Sequence, residues 1–387
     1  MTESVIIVGG GPVGATLALT LQHKGIAVTT LEARPKGAAY QDQRALALSY
    51  GSRAILEKLG VWHKLEYQAT AINTIHISQR GSFGRSLLKA QDHNFPALGY
   101  VLSYGALTQA LDEALADFNG VSVIYEAEAT HIEPAPDVAT VKFNHESTSQ
   151  QLSSSLLVLA DGGRSLGDIT GIARETKMYG HDALVTKVTC ELPHDNIAYE
   201  RFTPMGPVAL LPNGKDFSLV WTGKEDEVAG VLALEDADFL SQLHQHFGDR
   251  VGRFLSVGKR LTFPLKLSYL NPVTAPHLVV IGNAAQTMHP VAGQGFNVGL
   301  RDAYELAQQI AQTSPDAWGY DAMMRAYQKG RKADTKRGLI FTDFLVNLFS
   351  NDIVGVSNLR GMSLGLLDLL KPVKSRLVRK MSFGSRG

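Results

Sequence analysis

Cysteine is almost absent from this chain of 387 residues, and net charge is absent altogether. The single Cys190 excludes an internal disulfide framework and every metal or redox site that needs two cysteines. Because 37 Lys and Arg residues balance 37 Asp and Glu residues, the chain lacks the basic field that attracts nucleic acid. Long apolar runs of the ~18 residues that span a membrane are also missing. The length predicts two or three domains, and 44% hydrophobic residues are enough to bury a large core.

Glycine is plentiful, with 37 residues against a usual share of ~7%. Gly9, Gly11 and Gly14 have the spacing GxGxxG between an apolar strand at 4–8 and a helical pattern. In that position the glycines permit a tight turn, a close approach to a pyrophosphate and packing of helix on strand. Glu32 ends the next predicted strand, where a ribose-binding carboxylate is expected. The pattern predicts a dinucleotide site, and a glycine turn beside a solvated Glu32 is the alternative.

A second turn, Asp161-Gly162, ends the apolar stretch LLVLADG. Asp and Gly are common at strand ends for backbone reasons, so a purely structural turn is one interpretation. The strand follows a meander that we expect to pack against the first βαβ unit. We therefore expect this turn to approach the same cofactor from a second direction.

The third and longest constellation begins where a strand ends at Gly282-Asn283. A loop with His289 and Pro290 follows, and further glycines lead into a helix that opens near Phe296-Asn297. A glycine-rich loop at a helix N-terminus is suited to the anionic part of a ligand. Such a loop would suit the N1–C2=O edge of a flavin, which becomes negative on reduction.

In this order the three constellations resemble those of the single-component FAD-dependent aromatic hydroxylases. The segments ERFTPMGP and ALLP resemble the ubiquinone-biosynthesis hydroxylases among them. The resemblance implies an α/β fold with α+β insertions: a glutathione-reductase-like FAD-binding Rossmann domain, a β-sheet substrate domain and a helical C-terminus. The FAD domain would comprise 1–73, 101–176 and 276–335, the substrate domain 74–100 and 177–275, and the helical segment with its basic tail 336–387.

The resemblance also implies roles for individual residues. FAD would be bound by Gly9, Gly11, Gly14, Glu32, Arg44, Gln109, Asp161, Gly162, Gly282, Asn283, Gly293, Gln294, Gly295, Phe296 and Asn297. The residues beside the reacting flavin ring would be His289, Pro290 and Gly295. One wall of the substrate pocket would contain Arg201, Phe202, Pro207 and Leu210, with an ordinary sheet strand as the alternative. Asn283 stands where most aromatic hydroxylases have Asp, which puts the affinity for FAD in doubt.

The implied activity is hydroxylation of a polyprenyl phenol, of the 2-polyprenyl-6-methoxyphenol type, in ubiquinone biosynthesis. NAD(P)H would reduce FAD, and O2 would then form a flavin C4a-hydroperoxide whose distal OH is transferred to the ring. No metal is needed, since the cofactor carries the difficult chemistry. A base near the phenol would help, but the sequence does not reveal it. The alternatives are another FAD enzyme of this fold (another phenol hydroxylase, a halogenase or an isoprenoid reductase) and an FAD-holding scaffold of a quinone-biosynthesis complex.

The C-terminal region is apolar over 338–370 and basic from Lys371 onward, without an acidic residue. This pattern is typical of a helix on an anionic membrane surface or against a partner. A docking helix with a solvated tail is the alternative. We expect a cytoplasmic protein whose C-terminus is the candidate contact with the inner face of the membrane or with other quinone-biosynthesis proteins.

Overall fold

The computed structural model describes residues 3–81, 85–167, 169–203, 205–287, 294–331 and 371–384. In chain order its strands are β1 (Glu3–Val8), β2 (Val28–Glu32), β3 (Ala45–Ser49), β4 (Thr70–Ile72), β5 (Thr74–Gln79), β6 (Arg85–Lys89), β7 (Gly99–Ser103), β8 (Val121–Tyr125), β9 (Glu128–Pro134), β10 (Ala139–His145), β11 (Thr148–Leu159), β12 (Ala173–Cys190), β13 (Ile197–Thr203), β14 (Gly206–Asn213), β15 (Asp216–Lys224), β16 (Phe254–Val257), β17 (Leu261–Asn271), β18 (Thr274–Ala275), β19 (Leu278–Val280) and β20 (Gln286–Thr287). The helices are α1 (Pro12–Gln22), α2 (Tyr50–Lys58), α3 (Tyr104–Ala116), α4 (Glu225–Leu232), α5 (Asp236–Phe247), α6 (Gln294–Ala311) and a C-terminal helix (Lys371–Phe383).

The first sheet grows from a βαβ unit at the start of the chain. Its main path is β18-β19-β11-β1-β2-β8, and β9 and β10 extend it from β11. β1 pairs in parallel with both β11 and β2, and β11 pairs in parallel with β19. The carboxyl ends of β1, β11 and β19 therefore meet at one edge, which is where ligands bind in open α/β sheets.

The second sheet has the path β20-β17-β12-β15-β14-β13-β5-β6, with β16 paired to β12. Helices α4 and α5 cover one face over an apolar cluster that includes Trp221, Phe239 and Phe247. A small third sheet, β3-β7-β4, lies against the opposite face. Ile72 and Val101 of the small sheet pack there against Ala198 on β13.

The C-terminal helix docks on the N-terminal end of α2. Ser49 Oγ donates a hydrogen bond of 3.1 Å to the Ser382 carbonyl oxygen, and the Phe383 ring meets Tyr50 edge-on at 5.9 Å between centroids. Val378 and Met381 enter a small apolar cluster with residues of β5 and β6. For 371–383 the structure thus shows a docking helix, whereas the apolar stretch 338–370 lies outside the described residues. No helix in the described ranges has the length and apolar character needed to cross a bilayer.

The predicted α/β architecture is confirmed, although the sequence misplaced some elements. The run SRAILEKLGVWHKL at 52–65 has the apolar spacing of a single helix. In the structure α2 ends at Lys58, because Gly60 takes a φ of 69° and turns the chain into a short 3-10 turn at Trp62–Lys64. The predicted domain boundaries stay a prediction. Most strands of the first sheet lie in the predicted FAD domain, and most strands of the second sheet lie in the predicted substrate domain. Strand β12 crosses the predicted boundary at 176/177, and β20, although within 276–335, pairs into the second sheet.

Candidate functional site

The three glycine turns of the sequence meet at the carboxyl edge of the first sheet. A β-carbon on Gly9 would lie 2.6 Å from the Asp161 Cα, so the first and second turns are in backbone contact. A β-carbon on Gly282 would lie 3.1 Å from a methyl group of Val13, so the third turn packs on the first turn of α1. Segments that are far apart in sequence therefore form one glycine-lined edge.

The second turn is held by the carboxylate of Asp161. Its Oδ1 accepts a hydrogen bond of 2.8 Å from the Gly163 N–H, and its Oδ2 accepts one of 2.7 Å from the Ser165 N–H. Gly162 takes a φ of 78° and borders open space. A β-carbon on Gly163 would lie 3.5 Å from the Ala284 Cα, so the second and third turns also touch. The Asp161 side chain thus holds the backbone of this turn, and its predicted contact with FAD stays a prediction.

Helix α1 begins at the glycine edge without a capping side chain. Gly11 precedes the helix in an extended conformation, and Pro12 occupies the first helical position. A β-carbon on Gly14 would overlap the Gly9 carbonyl oxygen, which explains why α1 can lie this close to β1. The N–H groups of the first helical turn have no partner within a helix, and the helix dipole favours an anion there.

Glu32 at the end of β2 is a buried carboxylate with its own donors. Its Oε2 accepts a hydrogen bond of 2.8 Å from the Gly10 N–H, and its Oε1 accepts bonds from the Arg34 N–H at 3.0 Å and from the Arg34 Nε at 2.8 Å. Burial by itself raises the pKa of Glu32, but the hydrogen bonds and charge of Arg34 outweigh it and lower the pKa. Oε2 accepts only one bond and keeps a further lone pair, with which an ionised Glu32 can accept a hydroxyl group.

Arg44 and Gln109 occupy different positions relative to the glycine edge. The Arg44 guanidinium pairs with Asp42 at 2.6 Å and stacks over the Tyr104 ring at 5.0 Å. The Tyr104 hydroxyl reaches to within 3.2 Å of where a β-carbon on Gly11 would lie, so Tyr104 connects Arg44 to the first glycine turn. Gln109 is exposed on α3, and its amide donates to the glutamate one turn later. Sequence reasoning missed Tyr104, which gives no signal beyond its place at the start of a helix.

Asn297 at the start of α6 uses its side chain inside the protein. Its Oδ1 accepts hydrogen bonds of 2.8 Å from the Ser49 N–H and 2.7 Å from the Ser52 Oγ, and its Nδ2 donates to the Ala47 carbonyl at 2.9 Å. The side chain is buried and fixes the N-terminus of α6 against β3 and α2. A flavin contact predicted for Asn297 would therefore fall to its backbone.

The remaining predicted residues of the third turn are described only in part. Gly282 is buried with a φ of 63°, and Asn283 is exposed. Gly295 and Phe296 lie half-buried in the first turn of α6, and Gln294 begins that helix. Three further predicted residues lie outside the described ranges: His289, Pro290 and Gly293.

Asp302 on α6 holds the third turn from behind, and sequence reasoning assigned it no role. It forms a salt bridge of 2.9 Å with Arg331, with both side chains only 5–6% exposed. Its Oδ2 lies 3.4 Å from both the Gly282 N–H and the Gln286 Nε2. In the run GLRDAYEL, Asp302 lies among apolar residues of a helix, which is a signal that its side chain is buried. The sequence gives no signal that Arg331 is its partner.

The four residues predicted to form one substrate wall lie on two faces of the second sheet. Side chains alternate along a strand, and in the β13–β14 register Arg201 pairs with Val208 whereas Phe202 pairs with Pro207. Leu210 is fully buried in the cluster beneath α4 and α5. The four side chains therefore do not share one face: Leu210 and Arg201 face α5, and Phe202 and Pro207 face the opposite side. Their contact with a substrate stays a prediction.

The arrangement fits the diphosphate and ribose of a dinucleotide. A bare helix N-terminus supplies N–H donors, the glycine edge leaves no side chain in the way, and an ionised carboxylate stands beside it at Glu32. Among the described residues, no three His, Cys, Asp or Glu side chains gather as metal ligands would.

Comparison with known proteins agrees with this geometry. The chain is 36% identical over 97% of its length to ubiquinone hydroxylase UbiL of Rhodospirillum rubrum, of which it covers 88%. It is 28% identical over 93% of its length to the 3-demethoxyubiquinol 3-hydroxylase of Escherichia coli, of which it covers 93%. These matches confirm the resemblance to ubiquinone-biosynthesis hydroxylases.

Solved structures share the fold along the whole chain. The p-nitrophenol 4-monooxygenase PnpA of Pseudomonas putida superposes with a TM-score of 0.82 at 16% identity, covering 100% of this chain and 99% of that one. The model of the family described as "FAD binding domain" matches residues 2–341. The chain belongs to that family of FAD-binding proteins, and its cofactor is FAD.

Proposed function

We propose that this protein is an FAD-dependent monooxygenase that hydroxylates the aromatic ring of a polyprenyl phenol in ubiquinone biosynthesis, with NAD(P)H and O2 as co-substrates. The convergence of three glycine turns on one sheet edge carries the proposal, because a long cofactor needs backbone approach at several points. The similarity to two hydroxylases named for ubiquinone chemistry supports the substrate class. A substrate of the 2-polyprenyl-6-methoxyphenol type is the specific form of this proposal.

The proposal assigns the cofactor to named residues. Gly9, Gly11 and Gly14 with the first turn of α1 would bind the diphosphate, and Glu32 would accept the adenosine ribose hydroxyls. The other assigned FAD contacts are Arg44, Gln109, Asp161, Gly162, Gly282, Asn283, Gly293, Gln294, Gly295, Phe296 and Asn297. His289, Pro290 and Gly295 would border the reacting part of the flavin, and FAD supplies the redox and oxygen chemistry when bound.

The chain's own residues bind, orient and exclude water. The small sheet brings β3 between α6 and the second sheet, and Asn297 fixes this geometry through Ala47 and Ser49. Ile72, Val101 and neighbouring apolar residues exclude water from the interface between the sheets. An apolar wall of this kind suits a prenylated ring better than a charged substrate.

The test uses the purified full-length protein. It is expected to carry FAD and to oxidise NAD(P)H faster when a 2-methoxyphenol with a short prenyl chain is added, with one hydroxyl group appearing on the ring. Mass spectrometry of the product checks the reaction. A protein that releases no FAD on denaturation, or that leaves every phenol unmodified, would contradict the proposal.

The alternatives predict other products. A halogenase would give a brominated or chlorinated ring. An isoprenoid reductase would leave the ring unoxidised and saturate the prenyl chain, and a scaffold would hold FAD without turnover. Gly295→Asp separates the scaffold from the enzyme: a scaffold keeps its complex with the variant, whereas an enzyme loses turnover while its fold is retained.

We propose in addition that the protein meets its lipid-soluble substrate at a membrane surface or in a complex with other quinone-biosynthesis proteins, through its C-terminal region. The composition of the C-terminal helix supports an anionic partner, since the helix contains Arg376, Arg379 and Lys380 and no acidic residue. Sedimentation with vesicles rich in anionic lipid, compared with neutral vesicles, tests the membrane form of this proposal.

A further inference from the structure

One carboxyl group on the second sheet has surroundings that the fold alone does not explain. Glu200 lies on β13, where it pairs with Ala209 of β14 and with Ile77 of β5. These neighbours are apolar, and side-chain alternation places Glu200 on the same face of β13 as Ala198. Ala198 packs against Ile72 and Val101 of the small sheet. Glu200 therefore faces the side of the second sheet that meets β3, β4 and β7.

The carboxyl group lacks a partner among the residues that the structure describes. Within the described part of the chain, no hydrogen bond or ion pair reaches it. The residue is half-buried, so protein surrounds it without covering it completely. A half-buried carboxyl group on an apolar face, with no donor from the described protein, is free to accept a hydrogen bond from a ligand.

The face of the second sheet that carries Glu200 meets the small sheet, and the small sheet in turn contacts α6. The small sheet that faces Glu200 is the one whose Ala47 carbonyl accepts the Asn297 amide at the start of α6. Ile77, next to Glu200, packs on the cluster that contains Val378 of the C-terminal helix. Glu200 thus stands between the small sheet and the C-terminal helix, on an apolar surface.

We infer that Glu200 is the group that binds the substrate hydroxyl and accepts its proton. This inference rests on the proposed function. The phenol O–H bond breaks, a new O–H bond forms on Glu200, and the electron pair stays on the phenolate oxygen, from which it enriches the ring that is attacked. The proton returns to the oxygen once the product forms, so the step needs no further reactant.

The electrostatics agree with this role. Desolvation raises the pKa of Glu200 to about 7, which is the range in which a general base works best at neutral pH. A carboxyl in an apolar setting is a recurring device for acid–base chemistry. Arg201 cannot serve instead, because it lies on the opposite face among Arg80 and Arg250.

The experiment compares Glu200→Gln and Glu200→Asp with the wild-type holoenzyme, and Glu133→Gln, an exposed glutamate of β9, is the control. Hydroxylation of 2-methoxyphenol is expected to fall about 100-fold in kcat with Glu200→Gln, the usual size of a lost general base. Glu200→Asp should recover part of it. The rise of wild-type kcat/KM with pH through about 7 should vanish in Glu200→Gln, while bound FAD stays at the wild-type level.

A binding measurement without turnover separates a chemical role from a structural one. The wild type should bind 2-methoxyphenol at least tenfold more tightly than 1,2-dimethoxybenzene, which has no hydroxyl to donate, as judged by the flavin absorbance. Glu200→Gln should lose this preference. An unchanged preference together with an unchanged pH profile would overturn the inference. If the wild type hydroxylates no phenol, the proposed function fails instead, and the binding comparison still decides whether Glu200 recognises a phenolic hydroxyl.

Discussion

The backbone of Asp161 passes so close to Gly9 that a β-carbon on Gly9 would lie 2.6 Å from the Asp161 Cα. Gly9→Ala must therefore push β1 and β11 apart at their carboxyl ends. We expect a loss of about 1–3 kcal/mol in the free energy of unfolding, as for other overpacked sites. We also expect FAD to be released during purification. Urea unfolding and the ratio of flavin to protein measure both effects.

Gly230→Ala is the matched control for that change. Gly230 lies within α4, and a β-carbon there meets no atom within 4 Å. Alanine should stabilise the helix by about 0.5–1 kcal/mol and leave FAD bound. Equal FAD content in Gly9→Ala and Gly230→Ala would show that the close contact at Gly9 does not matter for the cofactor.

A second prediction concerns the buried pair behind the third turn. Asp302→Ala leaves Arg331 buried without its carboxylate and frees the Gly282 N–H, so we expect a loss of about 3–5 kcal/mol. Asp321→Ala removes the same kind of partner from Arg325, but both side chains are more than 70% exposed. That exposed pair should contribute less than about 1 kcal/mol. Comparable unfolding midpoints for the two variants would contradict the prediction.

Asn297 offers a third test. Replacing it by Ala removes an acceptor shared by Ser49 and Ser52 and a donor to Ala47, all within buried structure. Leaving such groups unsatisfied costs about 1–3 kcal/mol. We expect Asn297→Ala to loosen α6 and to weaken FAD binding, while Asn144→Ala on the exposed side of β10 changes neither. Thermal unfolding with and without added FAD gives the comparison.

Asp112 predicts a pH dependence of stability. Burial, followed by the charge of Glu32, raises its pKa from 3.8 to about 6, although the hydrogen bond from Tyr40 opposes the shift. A raised carboxyl pKa means that the folded state holds the proton more tightly. This contribution is therefore present below pH ~4 and is lost as the pH rises through about 6.

Asp112→Asn removes that charge and should stabilise the protein at pH 7 by on the order of 2 kcal/mol, since one pKa unit corresponds to about 1.4 kcal/mol. The gain should shrink to nothing near pH 4. Asp137→Asn, in the exposed turn between β9 and β10, is the control. A gain that persists unchanged at pH 4 would show that the effect is not electrostatic.

Local features of the fold were predictable from the sequence, and long-range contacts were not. The spacing of Gly9, Gly11 and Gly14 predicts a strand–turn–helix unit, because the tight turn and the close packing of helix on strand are local backbone requirements. The contact of that turn with Asp161 depends on the parallel pairing of β1 with β11, which no local pattern encodes. The family resemblance predicted the cofactor. It did not show that the Asn297 side-chain amide is hydrogen-bonded to Ser49 and Ala47 inside the protein.

The substrate side shows the same limit. Arg201 and Leu210 belong to a segment that reads as one wall, yet strand alternation sends them to the α5 face. Glu200 reads as an ordinary polar position between Tyr199 and Arg201. Only the packing of the small sheet against Ala198 reveals that its face of the strand is enclosed.

The close approach of Gly51 to the C-terminal helix has a consequence for sequence divergence. A β-carbon on Gly51 would overlap the Ser382 carbonyl oxygen, so this position tolerates no side chain while the helix stays docked. Selection on Gly51 is thereby tied to retention of a helix more than 300 positions away. A relative that lacks the helix can carry alanine at position 51. We therefore expect Gly51 and the C-terminal helix to occur together among related proteins.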